Sequence, residues 1–273
     1  MPVRVELPAT LRERLAEADR PLIGLWACAG SPVTAEIVAG SGCDWVLLDA
    51  EHSPNGLESV LAQLHAMSAY PVAPLVRPPY GDTVTIKQYL DLGAQNLLIP
   101  MVDSAEQAAE IARAVSYPDG SAAGGVRGVG SALARSARWN RVEGYLGRAA
   151  GTISLTVQIE SAAAVADVER ILAVEGVDAI FVGPSDLAAS MGLLGQQNHP
   201  DVVANVLHAI AAGVAAGKPV GVNAFAPADA DRYIEAGASF VAVGADVAIL
   251  ARQTEALVER FAGGAESGPR ASY

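Results

Sequence analysis

A chain of 273 residues, half of them hydrophobic, can bury a sizeable core, and no Ser/Pro/Gly-rich linker or charge run divides it. With 18 basic against 30 acidic residues the formal net charge is −12, which repels phosphate backbones and argues against nucleic-acid binding. No apolar stretch is long enough to span a bilayer, and MPVRVELPATLRERL lacks the apolar core of a signal peptide, so a soluble cytoplasmic protein is expected.

After a polar start, Pro21 to Cys28 (PLIGLWAC) reads as a buried strand. Ser31 to Gly42 follows as a helix, with Ser31 at its N-cap, Pro32 in its first turn and Gly42 past its end. The same strand-then-helix pattern recurs in three further stretches. These are Asp44 to His52 with Gly56 to Ala69, Ala73 to Arg77 with Asp82 to Leu92, and Asn96 to Val102 with Ser104 to Ser116. Ile153 to Glu160 opens the fifth unit, Ala179 to Asp186 the sixth, Pro219 to Phe225 the seventh and Phe240 to Gly244 the eighth. Eight apolar strands alternating with amphipathic helices predict a single-domain α/β fold, the (β/α)8 TIM barrel. Its apolar last helix, Val247 to Phe261, could pack on or swap with a neighbouring copy.

Spacing supports this reading. From Cys28 to His52, on to Arg77, on to Met101, and again from Glu160 to Asp186, strand ends recur every 24–26 residues. The period breaks twice, with 59 residues from Met101 to Glu160 and 39 from Asp186 to Phe225. The first break marks an inserted loop region over 117–151, rich in glycine and carrying Arg127, Arg135, Arg138 and Arg141, which could bind anions. Residues 262–273 read as a flexible tail, and Cys28 and Cys43 as small hydrophobes rather than a disulfide or a metal pair.

Catalytic groups of such barrels sit at the C-terminal ends of the strands. Read there, the candidates are Trp26 and Cys28, then Asp49, Glu51 and His52, Arg77, Gln158 and Glu160, Ser185 and Asp186, and Asn223. Glu160 and Asp186 end adjacent parallel strands. Two carboxylates that close need a proton or a cation between them, so they are either a divalent-metal site or two helix caps. His52, following VLLDAE, suits proton transfer, and Arg77 suits a carboxylate or a developing enolate oxygen. The only lysines, Lys87 and Lys218, fall on a helix and at the opposite barrel face, which disfavours Schiff-base chemistry. There is no Walker loop, HExxH, CxxC, nucleophile elbow or dinucleotide fingerprint.

The stretches GLWACAGSPVTAEIVAGSGCDWVLLDAEH, PLVRP, IKQYLDLGAQNLLIPMV, VRGVGSALARSARWNR, VQIES and VEGVDAIFVGPSDL closely resemble the HpcH/HpaI family of class II pyruvate aldolases. Within that family they are most similar to the branch acting on 4-hydroxy-2-oxoheptanedioate. The resemblance implies a metal-dependent carbon–carbon lyase that forms or cleaves 4-hydroxy-2-oxo acids from pyruvate or hydroxypyruvate and an aldehyde. It implies Mg²⁺, Mn²⁺ or Co²⁺ held by Glu160 and Asp186, His52 as general base, and Asp91 raising the basicity of that histidine. It further implies Arg77 as transition-state stabiliser, and Gln158 and Ser185 (through its backbone) as contacts to pyruvate; the strand-end reading puts Trp26, with Asp186, in the same substrate site. A hexamer is implied as well. Departures at YPDGSAAGGVRG and at NAF after the seventh strand bear on the aldehyde half. Two other readings stand beside it: a CoA-ester lyase of the same superfamily, and a silent barrel that binds 2-oxo acids without turnover.

Overall fold

The computed structural model describes residues 3–121 and 124–262; the expected tail over 262–273 lies, apart from Ala262, outside them. Eight parallel strands close into one barrel in sequence order. They are β1 (Leu22–Ala27), β2 (Trp45–Asp49), β3 (Ala73–Arg77), β4 (Asn96–Ile99), β5 (Ser154–Ile159), β6 (Ala179–Val182), β7 (Val220–Asn223) and β8 (Phe240–Ala245). The helices are α1 (Leu11–Glu17), α2 (Pro32–Ala39), α3 (Leu57–Ala66), α4 (Thr83–Asp91), α5 (Ala105–Val115) and α6 (Tyr145–Arg148). They continue with α7 (Ala162–Ala166), α8 (Val168–Leu172), α9 (Pro184–Ser190), α10 (Pro200–Ala215), α11 (Pro227–Glu235) and α12 (Asp246–Ala262). No helix among the described residues is long and apolar enough to cross a membrane.

The strand pattern follows from burial on both faces. One set of side chains (Val46, Leu48, Val76, Leu97, Val157, Ile180, Val222) packs outward against the helices. The alternate set (Leu22, Trp45, Leu47, Leu75, Leu98, Phe181, Phe240) fills the barrel. Trp45, Phe181 and Phe240 meet there with ring centroids 5.7–6.2 Å apart. Glycines make the room: a Cβ on Gly24 would lie 2.1 Å from the Trp45 ring, and one on Gly221 2.4 Å from Phe181 and 2.5 Å from Phe240. This aromatic layer is the floor on which the strand-end polar residues stand.

Three elements differ from the expected pattern. The polar start contains α1, closed by a capping box in which Thr10 and Glu13 exchange hydrogen bonds. Its Leu11 joins the barrel-interior cluster, and the Leu11 N–H donates to Asn96 Oδ1 at 2.6 Å, so α1 plugs the barrel. The segment after Glu160, whose apolar residues from Ser161 to Gly176 have the period of a single helix, is broken at Asp167 into α7 and α8. The Asp167 carboxylate accepts from the Ala105 N–H (2.8 Å) and pairs with Arg170 (2.9 Å). The strand expected to run to Asp186 ends at Val182, and Asp186 lies in the first turn of α9. Within 117–151, Ala137, Val142, Tyr145 and Ala149 form a small separate core that also covers Leu7 and Tyr117.

Candidate active site

Arg77 ends β3 directly beside Asp49 of β2 and is 2% exposed. Its Nε donates to Asp49 Oδ1 at 2.9 Å, and its Nη1 is ion-paired with Glu51 Oε2 at 2.8 Å and reaches Gln158 Oε1 at 3.4 Å. The Trp26 ring covers the guanidinium at 4.4 Å. Burial alone would raise Asp49, but the Arg77 hydrogen bond and charge, with the Glu51 N–H and Ser53, hold its carboxyl below the usual 3.8. The β2–α3 turn is wound around Asp49. Its carboxylate accepts from the Glu51 N–H (3.0 Å), the His52 N–H (3.5 Å) and Ser53 Oγ (3.0 Å). Its carbonyl accepts from Asn55, which fully buried Gln63 holds at 2.7 Å. Asp49 thus fixes Arg77 and the segment presenting Glu51 and His52.

Across the barrel, Glu160 follows β5 and is 4% exposed. Its Oε1 accepts from the Met101 N–H at 2.7 Å and its Oε2 from Gln158 Nε2 at 2.5 Å. Met101 has φ 58°, a left-handed conformation costly for a side-chain-bearing residue, and in this turn its N–H reaches the Glu160 carboxylate. Gly183 leaves the adjoining space open, since a Cβ there would sit 3.0 Å from Glu160 Oε2. Burial, then the charges of Glu51 and Asp186, push Glu160 up to about 7, against the pull of Met101 and Arg77. Glu51 is raised too, first by burial and then by Asp49 and Asp186, with Arg77 and His52 opposing.

Asp49, Glu51 and Glu160 therefore share the Arg77 guanidinium. The buried Glu160 carboxylate, pushed toward protonation first by burial and then by its acidic neighbours, is the observation that fits a cation. Among the described residues no group of three or more His, Cys, Asp or Glu is placed to hold a metal. Two carboxylates with the remaining oxygens from water and substrate match the needs of a small hard cation.

His52 lies at the open lip, its side chain 66% exposed, with Nε2 3.7 Å from Glu51 Oε2. Asp91 ends α4 and pairs not with His52 but with Arg127, whose Nη2 is 3.0 Å away and whose guanidinium stacks on Tyr117. The other inserted arginines hold backbone carbonyls: Arg135 ties the loop to the end of α4 through the Leu92 carbonyl, while Arg138 donates to that of Arg135 and Arg141 to that of Arg138. Lys218 donates to the Val174 and Val177 carbonyls, away from the strand ends. The fold thus gathers Trp26, Arg77, Gln158 and Glu160, with Asp186 near enough for its charge to act on Glu160. The anchoring role of Asp49 and the Met101 backbone went unread in the sequence; the strand-end position of Asp49 was the available signal, and Met101 gave none.

A family model described as HpcH/HpaI aldolase/citrate lyase matches residues 22–252. The chain belongs to this family. Among curated relatives, it is 51% identical over 255 residues to a hydroxypyruvate/pyruvate aldolase of Deinococcus radiodurans, covering 93% of this chain and 90% of that protein. It is 49% identical over 245 residues to a 4-hydroxy-2-oxo-heptane-1,7-dioate aldolase of Shigella sonnei, covering 90% and 92%. The crystal structure of an HpcH/HpaI aldolase/citrate lyase family protein from Burkholderia cenocepacia superposes with a TM-score of 0.88 at 41% identity, covering 93% and 99%. The family is one of lyases, in agreement with the expected barrel and class of chemistry.

Proposed function

We propose that the chain is a class II aldolase that joins pyruvate or hydroxypyruvate to an aldehyde, or cleaves the resulting 4-hydroxy-2-oxo acid. One observation carries the reading: a fully buried arginine and a cluster of carboxylates converge on one barrel mouth that has no lysine to form an imine. Family membership and the printed activities of the two aldolase relatives support it.

Glu160 and Asp186 are the residues that would hold a divalent cation, Mg²⁺, Mn²⁺ or Co²⁺, which when bound supplies Lewis acidity at the 2-oxo carbonyl. Gln158, fixed between Arg77 and Glu160, and the Ser185 backbone orient the 2-oxo acid. Trp26 covers the guanidinium and keeps water from it. His52 takes the proton from C3, and its exposure leaves that face open to the entering aldehyde. Arg77 is held rigid by Asp49 and Glu51, so it stabilises the enolate oxygen without reorganising as charge develops. The C3 carbon then bonds to the aldehyde carbon, and the proton returns to the new alkoxide. Asp91, expected on resemblance to support His52, is engaged by Arg127 in this chain and is given no part in the proton transfer. Exposed Ile249, Leu250, Leu257, Val258 and Phe261 on α12 support a homo-oligomer.

The test is exchange of the pyruvate methyl protons in D₂O with Mn²⁺, followed by NMR. Loss of the methyl signal is expected, abolished by His52→Ala and by EDTA. Absence of exchange, or a borohydride-trapped pyruvate adduct, contradicts the proposal.

A further inference from the structure

On β7, Gly221 faces the barrel interior, where a Cβ would strike Phe181 and Phe240, and Asn223 two residues on faces the same way at the mouth. Its Oδ1 is buried and has no hydrogen-bond partner. A buried amide oxygen left unpaired is costly, and its natural partner is a donor brought by a ligand. Asn223 also lines a cleft of about 40 Å³ between the ends of β6 and β7, with Ser185, Gln197, Asn198, Phe225 and Asp229. That volume admits a group of one or two heavy atoms. No cationic side chain lines the cleft among the described residues; Asp229 pairs with Arg232 at 3.1 Å, and Arg232 is outside the lining. Hydroxyl and amide groups with a carboxylate suit a neutral hydroxyl donor and repel a carboxylate.

We propose that Asn223 is a specificity-determining residue whose Oδ1 accepts a hydrogen bond from a substrate hydroxyl, so that this site selects hydroxylated substrates over their deoxy counterparts. The inference rests on the aldolase reading and sharpens it. It also separates this chain's preference from an acceptor ending in a carboxylate. The hydroxyl comes either from a hydroxyaldehyde acceptor or from a hydroxylated 2-oxo acid donor, and one experiment distinguishes them.

The metal-loaded enzyme is assayed for kcat/KM with glycolaldehyde against propanal, nearly isosteric acceptors, using pyruvate as donor. It is then assayed with hydroxypyruvate against pyruvate, using propanal as acceptor. In at least one pair the hydroxylated member is expected to win by about tenfold or more, and the pair that shows it names the source. Asn223→Leu removes that preference, whereas Asn223→Asp, which keeps an acceptor oxygen, retains it. Ratios near one in both pairs overturn the proposal, as does a ratio that survives Asn223→Leu. If the leucine variant fails to fold, Asn223→Ala tests the same loss of preference, and wild-type ratios near one overturn the proposal by themselves. Methyl exchange of pyruvate in D₂O is measured alongside. Exchange without hydroxyl preference overturns this inference alone, and no exchange overturns the aldolase reading and this inference with it.

Discussion

Arg77 shows how much of the site depends on single atoms. Its Nε and Nη1 are committed to Asp49 and Glu51 on one side, and its flat face to Trp26 on the other. A lysine keeps the charge but offers neither the fork nor the stacking face. Arg77→Lys should lower kcat by about 10²–10³-fold, read by steady-state kinetics with pyruvate and an aldehyde. Asp49 governs acid stability at the same spot. Its folded pKa is depressed below 3.8, so the stability it contributes is fully present above that value and is lost as pH falls through the lower folded pKa. Asp49→Asn removes one partner of a buried pair and should cost about 3–5 kcal/mol at neutral pH. It should also flatten the stability profile below about pH 4, seen by urea unfolding across pH. An unchanged acid limb would contradict the role given to this carboxylate.

At the scale of elements, the alternating strands and helices were legible because each strand is a short apolar run buried on both sides and each helix has an apolar stripe. Glu160, Arg77 and Gln158 were legible because a polar side chain at the end of such a run points into the mouth. What lay beyond reach was set by contacts distant in sequence. Helix α1 has a readable capping box, but its role as a plug depends on Asn96. The break between α7 and α8 depends on Asp167 reaching back to α5. Asp186 reads as part of the AIFVGPSD strand, yet the chain leaves the sheet after Val182 and turns into α9 at Pro184. The glycines of β1 and β7 were silent for the same reason, since what excludes a side chain is a ring on another strand. Gly221→Ala would force a methyl to within 2.4–2.5 Å of two phenylalanine rings. Overpacking of this kind costs about 1–3 kcal/mol, so the midpoint of thermal unfolding should fall by about 2–12 °C, measured by calorimetry. A midpoint equal to wild type would show that the aromatic floor can yield.

At the scale of the whole molecule, the barrel brings carboxylates from separate units to one mouth within a chain of net charge −12. The fold accepts a buried carboxylate with acidic neighbours there, and burial first, then the charges of Glu51 and Asp186, raise Glu160 to about 7. A cation that binds the folded state and not the unfolded chain converts that frustration into stability. At a free concentration a hundredfold above its dissociation constant it adds about 2.7 kcal/mol. For a domain of this size that corresponds to a rise of about 5–11 °C in the unfolding midpoint. Mn²⁺ added to the EDTA-treated protein should produce such a shift, and Glu160→Ala and Asp186→Ala should each fold yet lose it. Calorimetric titration of Mn²⁺ reports the same affinity without unfolding the protein. If both variants keep the wild-type shift and affinity, the cation is held elsewhere, and Glu160 returns to being a buried acid that Met101 and Gln158 merely accommodate, and Asp186 an exposed one in the first turn of α9.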